Sequence, residues 1–285
     1  MSVKLIVAMC KNNGIGIDNK IPWRISEDMI YFSKKTSGDY AMMNETIKKN
    51  AVIMGRNTWE SLPKKYKPLP NRFNIVLSRN VQTLTALEHH ELDKKDIECV
   101  SSVDEAMDLC YGGGEKREKG EKNRKIEYVT TSQFSLCKFN DIWIIGGSSV
   151  YQEFIHRNLT QDLNVCSNNN IPISSYYITY IDKEYECDTY FPMLENMNKY
   201  HLTQFENHEC IDKNTPNAPP LNVYYIVFKK IKYTDDKIIE KLFTPYRSKN
   251  SKNIEVDLLF YVKKTKISSY LCSNELEILF SMFSS

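Results

Sequence analysis

The chain has no C-x-x-C pair and no histidines at zinc-ligand spacing, although cysteine occurs at 10, 99, 110, 137, 166, 187, 210 and 272. That excludes the common structural zinc sites and any expected metal, and it leaves reduced thiols in a cytoplasmic protein as the natural reading. Charge of one sign is equally scarce. Lys and Arg number 38 against 36 Asp and Glu, a formal net charge of +2, so no field that gathers polyanions is expected and nucleic acid is not the default partner. Long apolar runs are missing as well. The N-terminal run LIVAMC has six residues, too few for a secretion signal, and nothing later approaches a membrane span of about 20 residues. No repeat of fixed period is present. What is there is a chain of 285 residues, 41 % of them hydrophobic, enough for the core of one large domain or two small ones.

Four short apolar runs, KLIVAMC (4–10), AVIMG (51–55), FNIVLS (73–78) and IWIIGG (142–147), are rich in β-formers and end in turn or helix-start residues. Strands buried on both faces read this way. Helical spacing occupies 26–36, 102–110 and 148–157, and the alternation predicts an α/β sheet with helices on both faces. From 175 onward SSYYITYI, YHLTQFE and NVYYIVFKKI follow one another without a helix, which predicts antiparallel strands along one edge. The block GGGEKREKGEKNRK (112–125) reads as a solvated loop or a charged docking patch, and KNTPNAPP (213–220) as a surface turn.

The stretch IPWRISEDMIYF (21–32) sets an acid in an apolar stripe. A helix opened by Ser26 brings Ile25, Asp28, Met29 and Phe32 toward one face. Asp28 could serve the helix alone, because Ser26 can cap its first amides and Glu27 and Asp28 suit the positive end of the dipole. A second role opens if Pro22 and Trp23 wall it off from water. Burial then raises its pKa, and such an acid can bind a polar or protonated heterocycle.

Open α/β sheets bind ligands beyond the carboxyl ends of their strands. After the second run GRNTWESLP opens a helix with Arg56 and Thr58, and after the fourth GGSSVYQEF opens another behind two glycines. Amides at a helix start hold phosphate, and glycines let a ligand approach the backbone. Either start could be a plain turn, yet two together suit a pyrophosphate. After the third run VLSRN carries Ser78 and Arg79, a hydroxyl and a cation suited to a ribose 2′-phosphate. A phosphorylated dinucleotide beside an apolar slot with one acid points to hydride transfer with a coupled proton.

In order and approximate spacing, IVAMCKNNGIG, IPWRISEDMIYF, VIMGRNTWESLP, PLPNRFNIVLSR, IWIIGGSSVYQEF, YYITYI and YECDTYFP resemble the motifs of the dihydrofolate reductase family, most of all its protozoan members. The resemblance covers residues 1–232 and implies a central, mostly parallel twisted sheet with an antiparallel C-terminal edge. It implies that Asp28 holds the N3 and 2-amino edge of a pteridine, that Thr179 bonds the same carboxylate, and that Trp23 completes the catalytic set. Ile6, Val7, Met29, Phe32, Thr58, Leu62, Leu69, Ile145 and Tyr151 would line the substrate slot, and Arg72 would pair with the α-carboxylate of the substrate's glutamate tail. The implied cofactor is NADPH. Ala8 and Ile15 would meet its nicotinamide, with Gly16 in the loop over the cofactor site, and Arg56, Asn57, Thr58, Leu77, Ser78, Arg79, Gly146, Gly147, Ser148, Ser149 and Val150 would meet its phosphates and adenosine. A cis bond between Gly146 and Gly147 is implied too. The implied reaction moves a hydride from nicotinamide C4 to C6 of dihydrofolate, with a proton reaching N5 from water, in one-carbon metabolism and thymidylate synthesis. Antifolate inhibitors would share the site.

The segments 34–50, 112–125 and 158–174 are longer than in compact bacterial members. Residues 233–285 have no counterpart in single-domain members and read as an extension or linker. Within it DDKIIEKLF (235–243) sets Ile238, Ile239, Leu242 and Phe243 on one face, to pack on its own domain, on a second copy, or on a thymidylate synthase domain of the kind fused to protozoan reductases; no synthase motif occurs in the sequence. Two other readings stay open, a related-fold module that binds NADPH or folate without turnover and the pyrimidine reductase of riboflavin synthesis. Arg72 and the element from IPW to Asp28 favour folate.

Overall fold

The apolar runs become strands, and the helical spacing between them becomes helices. A computed structural model describes residues 1–38, 48–80, 96–111, 139–159, 171–194, 197–231 and 278–279. In chain order the elements are β1 (Val3–Cys10), β2 (Gly14–Gly16), α1 (Ser26–Ser37), β3 (Asn50–Gly55), α2 (Arg56–Ser61), β4 (Arg72–Leu77), β5 (Ile97–Val100), α3 (Val103–Tyr111), β6 (Ile142–Gly146), α4 (Ser148–Leu159), β7 (Ile173–Ile181), β8 (Thr189–Tyr190), β9 (Tyr200–Cys210) and β10 (Leu221–Lys230). The predicted loop at 112–125 and helix at 235–243 lie outside the described residues. The chain divides into two compact units, Met1 with Thr36–Trp143, and Ser2–Lys35 with Ile144–Ser285.

In the first unit β5, β4 and β3 run parallel in that order, with Val52 opposite Asn74 and Asn74 opposite Ile97. Ala51, Val52, Ile53 and Met54 of β3 are all fully buried, as a continuous apolar run in a parallel sheet should be. Helix α3 buries Val103, Ala106, Met107 and Cys110, the spacing of one helical face. Its start is capped by Ser102, whose Oγ accepts the Glu105 amide at 3.1 Å, while Glu105 Oε2 accepts the Ser101 amide at 2.7 Å, close to a capping box. Strand β5 was not expected, because IECV is short and mixes charge with apolar residues.

In the second unit the order is β6-β1-β7-β10-β9. Strand β7 lies parallel to β1, with Ala8 opposite Thr179, and antiparallel to β10, with Thr179 opposite Tyr225. The antiparallel edge expected from residue 175 therefore begins one strand later, at the β7–β10 pair, because α4 serves as the crossover that returns β7 parallel. Asn158 fixes the end of that crossover. Its Oδ1 accepts the Ile173 amide at 3.0 Å and its Nδ2 donates to Tyr200 Oη at 3.2 Å, while the Tyr200 hydroxyl donates to Ile173 O at 2.7 Å. The segment KNNGIG, read from sequence only as a loop, contains β2, which pairs antiparallel with β8. A Cβ on Gly14 would lie 2.3 Å from Cys187 Sγ, so only glycine fits there. The turn expected at 213–220 is exposed along its length. Near the chain end Ile278 and Leu279 are buried. Among the described residues no helix is long and apolar enough to cross a membrane.

Candidate active site

Ser26 begins α1 and Glu27 and Asp28 fall in its first turn, but the structure gives Asp28 more than a helix-end role. The residue is only 5 % exposed. The Thr179 hydroxyl, in the middle of β7, hydrogen-bonds it. Burial pushes its pKa up to about 6, against the opposing pull of Thr179 and Trp23, so desolvation is the larger effect. Ile25 is buried beside it, whereas Met29 is half exposed and Phe32 only partly covered. The expected stripe is thus narrower than helical spacing implied, since the first turn has neighbours on one side only.

Trp23 is buried, and its side chain, like that of Thr179, draws the Asp28 pKa down against burial. A residue that sequence reading missed holds this segment. Asp212, buried at the end of β9, accepts the Arg24 amide at 2.9 Å, the Asn214 amide at 3.0 Å and the Tyr185 hydroxyl at 2.8 Å. Burial pushes the Asp212 pKa up, but these three donors outweigh it and the net shift is downward. Asn214 Nδ2 donates to Pro22 O at 3.1 Å, and Tyr185 packs its ring against Trp23, centroids 5.4 Å apart.

Ile6 and Val7 of β1 are buried, and the buried Tyr151 of α4 donates to Ile6 O at 2.7 Å. Ala8 and Ile145 are half-buried. The Gly146-Gly147 peptide is cis, with Gly146 at φ 134°, a conformation that favours glycine. Gly147 O accepts the Val150 and Tyr151 amides, each at 3.0 Å, and Val150 is buried while Ser149 is exposed. The Ser148 hydroxyl donates to Tyr190 O at 2.7 Å, so it is engaged with β8. Ile15 and Gly16 are half-buried on β2. Another missed residue, Asp188, ties this loop: its amide donates to Gly16 O at 3.0 Å and its Oδ2 accepts the Asp18 amide at 2.8 Å.

The first unit holds the remaining predicted residues. Arg72 is 2 % exposed and burial draws its pKa down to about 10. Its Nε donates to Pro70 O at 3.0 Å and its Nη1 to Thr36 Oγ1 at 2.6 Å. Asn74, which the sequence did not single out, fixes the turn before it. Its Oδ1 accepts the Leu69 amide at 3.0 Å, and its Nδ2 donates to Leu69 O and Arg72 O, each at 3.1 Å. Leu69 is buried, and Leu62, Leu77 and Thr58 are half-buried. Arg56, Asn57 and Arg79 are exposed; Arg56 pairs with Glu60 at 3.6 Å, and Gly55 supplies no side-chain cap to α2. The Ser78 hydroxyl bonds the backbone of Asn80, which occupies it locally. Among the described residues no cluster of three metal-ligating side chains occurs.

Fold and acid define an α/β protein with a buried, hydrogen-bonded carboxyl. The family model described as dihydrofolate reductase matches residues 2–224. The dihydrofolate reductase of Heliothis virescens is 31 % identical over 232 residues, 81 % of this chain and 98 % of that protein. That of Drosophila melanogaster is 34 % identical over 190 residues, 67 % of this chain and 79 % of that protein. The bifunctional dihydrofolate reductase-thymidylate synthase 2 of Arabidopsis thaliana is 31 % identical over 192 residues, 67 % of this chain but 26 % of that protein. The chain belongs to the dihydrofolate reductase family, a family of oxidoreductases.

Proposed function

We propose that this protein reduces 7,8-dihydrofolate to 5,6,7,8-tetrahydrofolate with NADPH, in the cytoplasm, as a step of one-carbon metabolism. The observation that carries the reading is Asp28, buried, bonded by Thr179 and held at a pKa of about 6, in a chain of this family. A carboxylate enclosed in this way is matched by the paired N–H donors of a pterin edge, and it favours a cationic ring as hydride arrives.

The residues present suit the cofactor. The Gly146-Gly147 turn leads directly into α4, and α2 starts without a side-chain cap, two helix starts fit for phosphate. Exposed Arg79 would meet the 2′-phosphate, the Ser78 hydroxyl joining only if it leaves Asn80. NADPH supplies the hydride from nicotinamide C4 to pterin C6. The chain's own work is to position and to hold charge: Asp28 anchors the ring, Thr179 orients the carboxyl, Tyr151 fixes β1 against α4, and Arg72 takes the α-carboxylate of the glutamate tail. An acid that holds the N3 edge does not also reach N5, so water delivers that proton.

Residues 233–285 we assign to association, with a second copy or a thymidylate synthase domain, and not to chemistry. Oxidation of NADPH, followed by the loss of its own absorbance, tests the activity with dihydrofolate as substrate. Turnover is expected with dihydrofolate and inhibition by antifolates. Tight binding of both ligands without turnover would replace the enzyme with a binding module, and turnover only with a ribosylated pyrimidine would replace the substrate.

A further inference from the structure

Behind the acid lies a second polar feature. The buried hydroxyls of Tyr31 and Tyr225 lack a hydrogen-bond partner in the protein. The two rings stack, centroids 4.2 Å apart at 28°. Tyr31 lies on α1, three residues beyond Asp28 and so on the same side of the helix. Tyr225 lies on β10 directly opposite Thr179, and residues opposite one another in an antiparallel pair share a face. Thr179 bonds Asp28, so both orphan hydroxyls belong to the surroundings of one buried carboxyl. Tyr225 is only 5 % exposed, and a hydroxyl left unmet at that depth is costly enough that native proteins supply a partner, commonly an ordered water.

We propose that the Tyr225 and Tyr31 hydroxyls hold buried water that completes the hydrogen-bond shell of Asp28, making Tyr225 a positioning residue that sets the acid's protonation. The hydroxyl donates to the water and the water to the carboxylate, so the pair favours the ionised form. This rests on Asp28 being the functional acid but not on which substrate it holds. The titratable neighbours are known. From α1 come Glu27, Tyr31 and Lys35, whose ammonium lies 5.1 Å from the Tyr31 ring centroid, and from α4 Tyr151. From β9 come Glu206, Cys210 and His208, the last with its ring edge-on to Tyr225 at 5.2 Å. Tyr177 comes from β7, and Cys10 of β1 shares the apolar cluster.

Carbon-13 NMR of the aspartate carboxyls in the ligand-free full chain tests this, with D28N assigning the Asp28 signal. Y225F and Y31F each remove one oxygen and keep the ring stack, and all are made in an H208Q background so that the imidazole beside Tyr225 is absent from the comparison. The Asp28 midpoint should rise by roughly half to one pH unit in each variant, and the pH profile of kcat/KM should move with it. A variant that lowers Tm and leaves the Asp28 midpoint where it was would overturn the proposal, because a merely structural hydroxyl predicts that result. The titration needs no turnover, so its failure and failure of the reductase reading are distinguishable.

Discussion

Asp28 carries two predictions at the scale of the residue. Asp28→Asn keeps size and loses charge, so turnover should fall at least about 10²-fold, the usual scale for a positioned acid, while NADPH binding stays nearly intact. Equal activity in wild type and variant at neutral pH would remove the role. The second concerns stability. Folding raises the Asp28 pKa from 3.8 to about 6, so the folded state binds the proton more tightly and this group increasingly destabilises the ligand-free protein as pH rises from about 4, the penalty being complete above about 6. The penalty is at most roughly 3 kcal/mol and fades as pH falls toward 4. Urea midpoints at pH 7 and pH 4.5 should show Asp28→Asn the more stable protein at pH 7, with the gap closing at pH 4.5. A gap independent of pH would mean the carboxyl is solvated after all. At Arg79, neutralisation should weaken NADPH by about 1 to 3 kcal/mol and leave NADH little changed; equal losses would take Arg79 out of the 2′-phosphate site.

At the scale of the element, the β4 approach shows how a turn is made rigid. One carboxamide, Asn74, fully buried, spans the turn from Leu69 to Arg72. Asn74→Ala leaves the Leu69 amide and carbonyl unmet, so the protein should lose about 2 to 4 kcal/mol, as for a buried network that loses a partner. If Arg72 serves the glutamate tail, KM for dihydrofolate should rise more than kcat falls in the same variant. An unchanged KM beside a lowered Tm would confine Asn74 to stability. Strands β3, β4 and β6 were legible because each is dominated by apolar β-formers. Strands β2 and β8 were not, since a pair of two- and three-residue strands has no period to detect and exists only through its tertiary pairing.

For the whole molecule, removing everything after Lys232 should leave kcat and the KM for dihydrofolate unchanged, with sedimentation or solubility altered. Ile278 and Leu279 are buried, so truncation also uncovers whatever they pack on, and a lowered Tm is expected. Loss of turnover in a folded, truncated protein would bring the extension into the active site. Unchanged mass, solubility and Tm would leave it without a role in association.

The order of the longer strands and helices, the acid after IPW, the glycine pair before α4 and the family itself were present in the linear pattern, because apolar period and turn chemistry are local properties. Tertiary structure decided the rest. Whether Asp28 was a helix-start acid or a buried one depended on Thr179 arriving from β7, and Met29 faced outward despite its spacing. Asp212 meets Arg24 across 188 residues, and Tyr225 reaches the acid only because β10 pairs with β7 in that register. A carboxyl's pKa and a hydroxyl's partner are set by desolvation and by which segments meet, and neither can be read from neighbours along the chain.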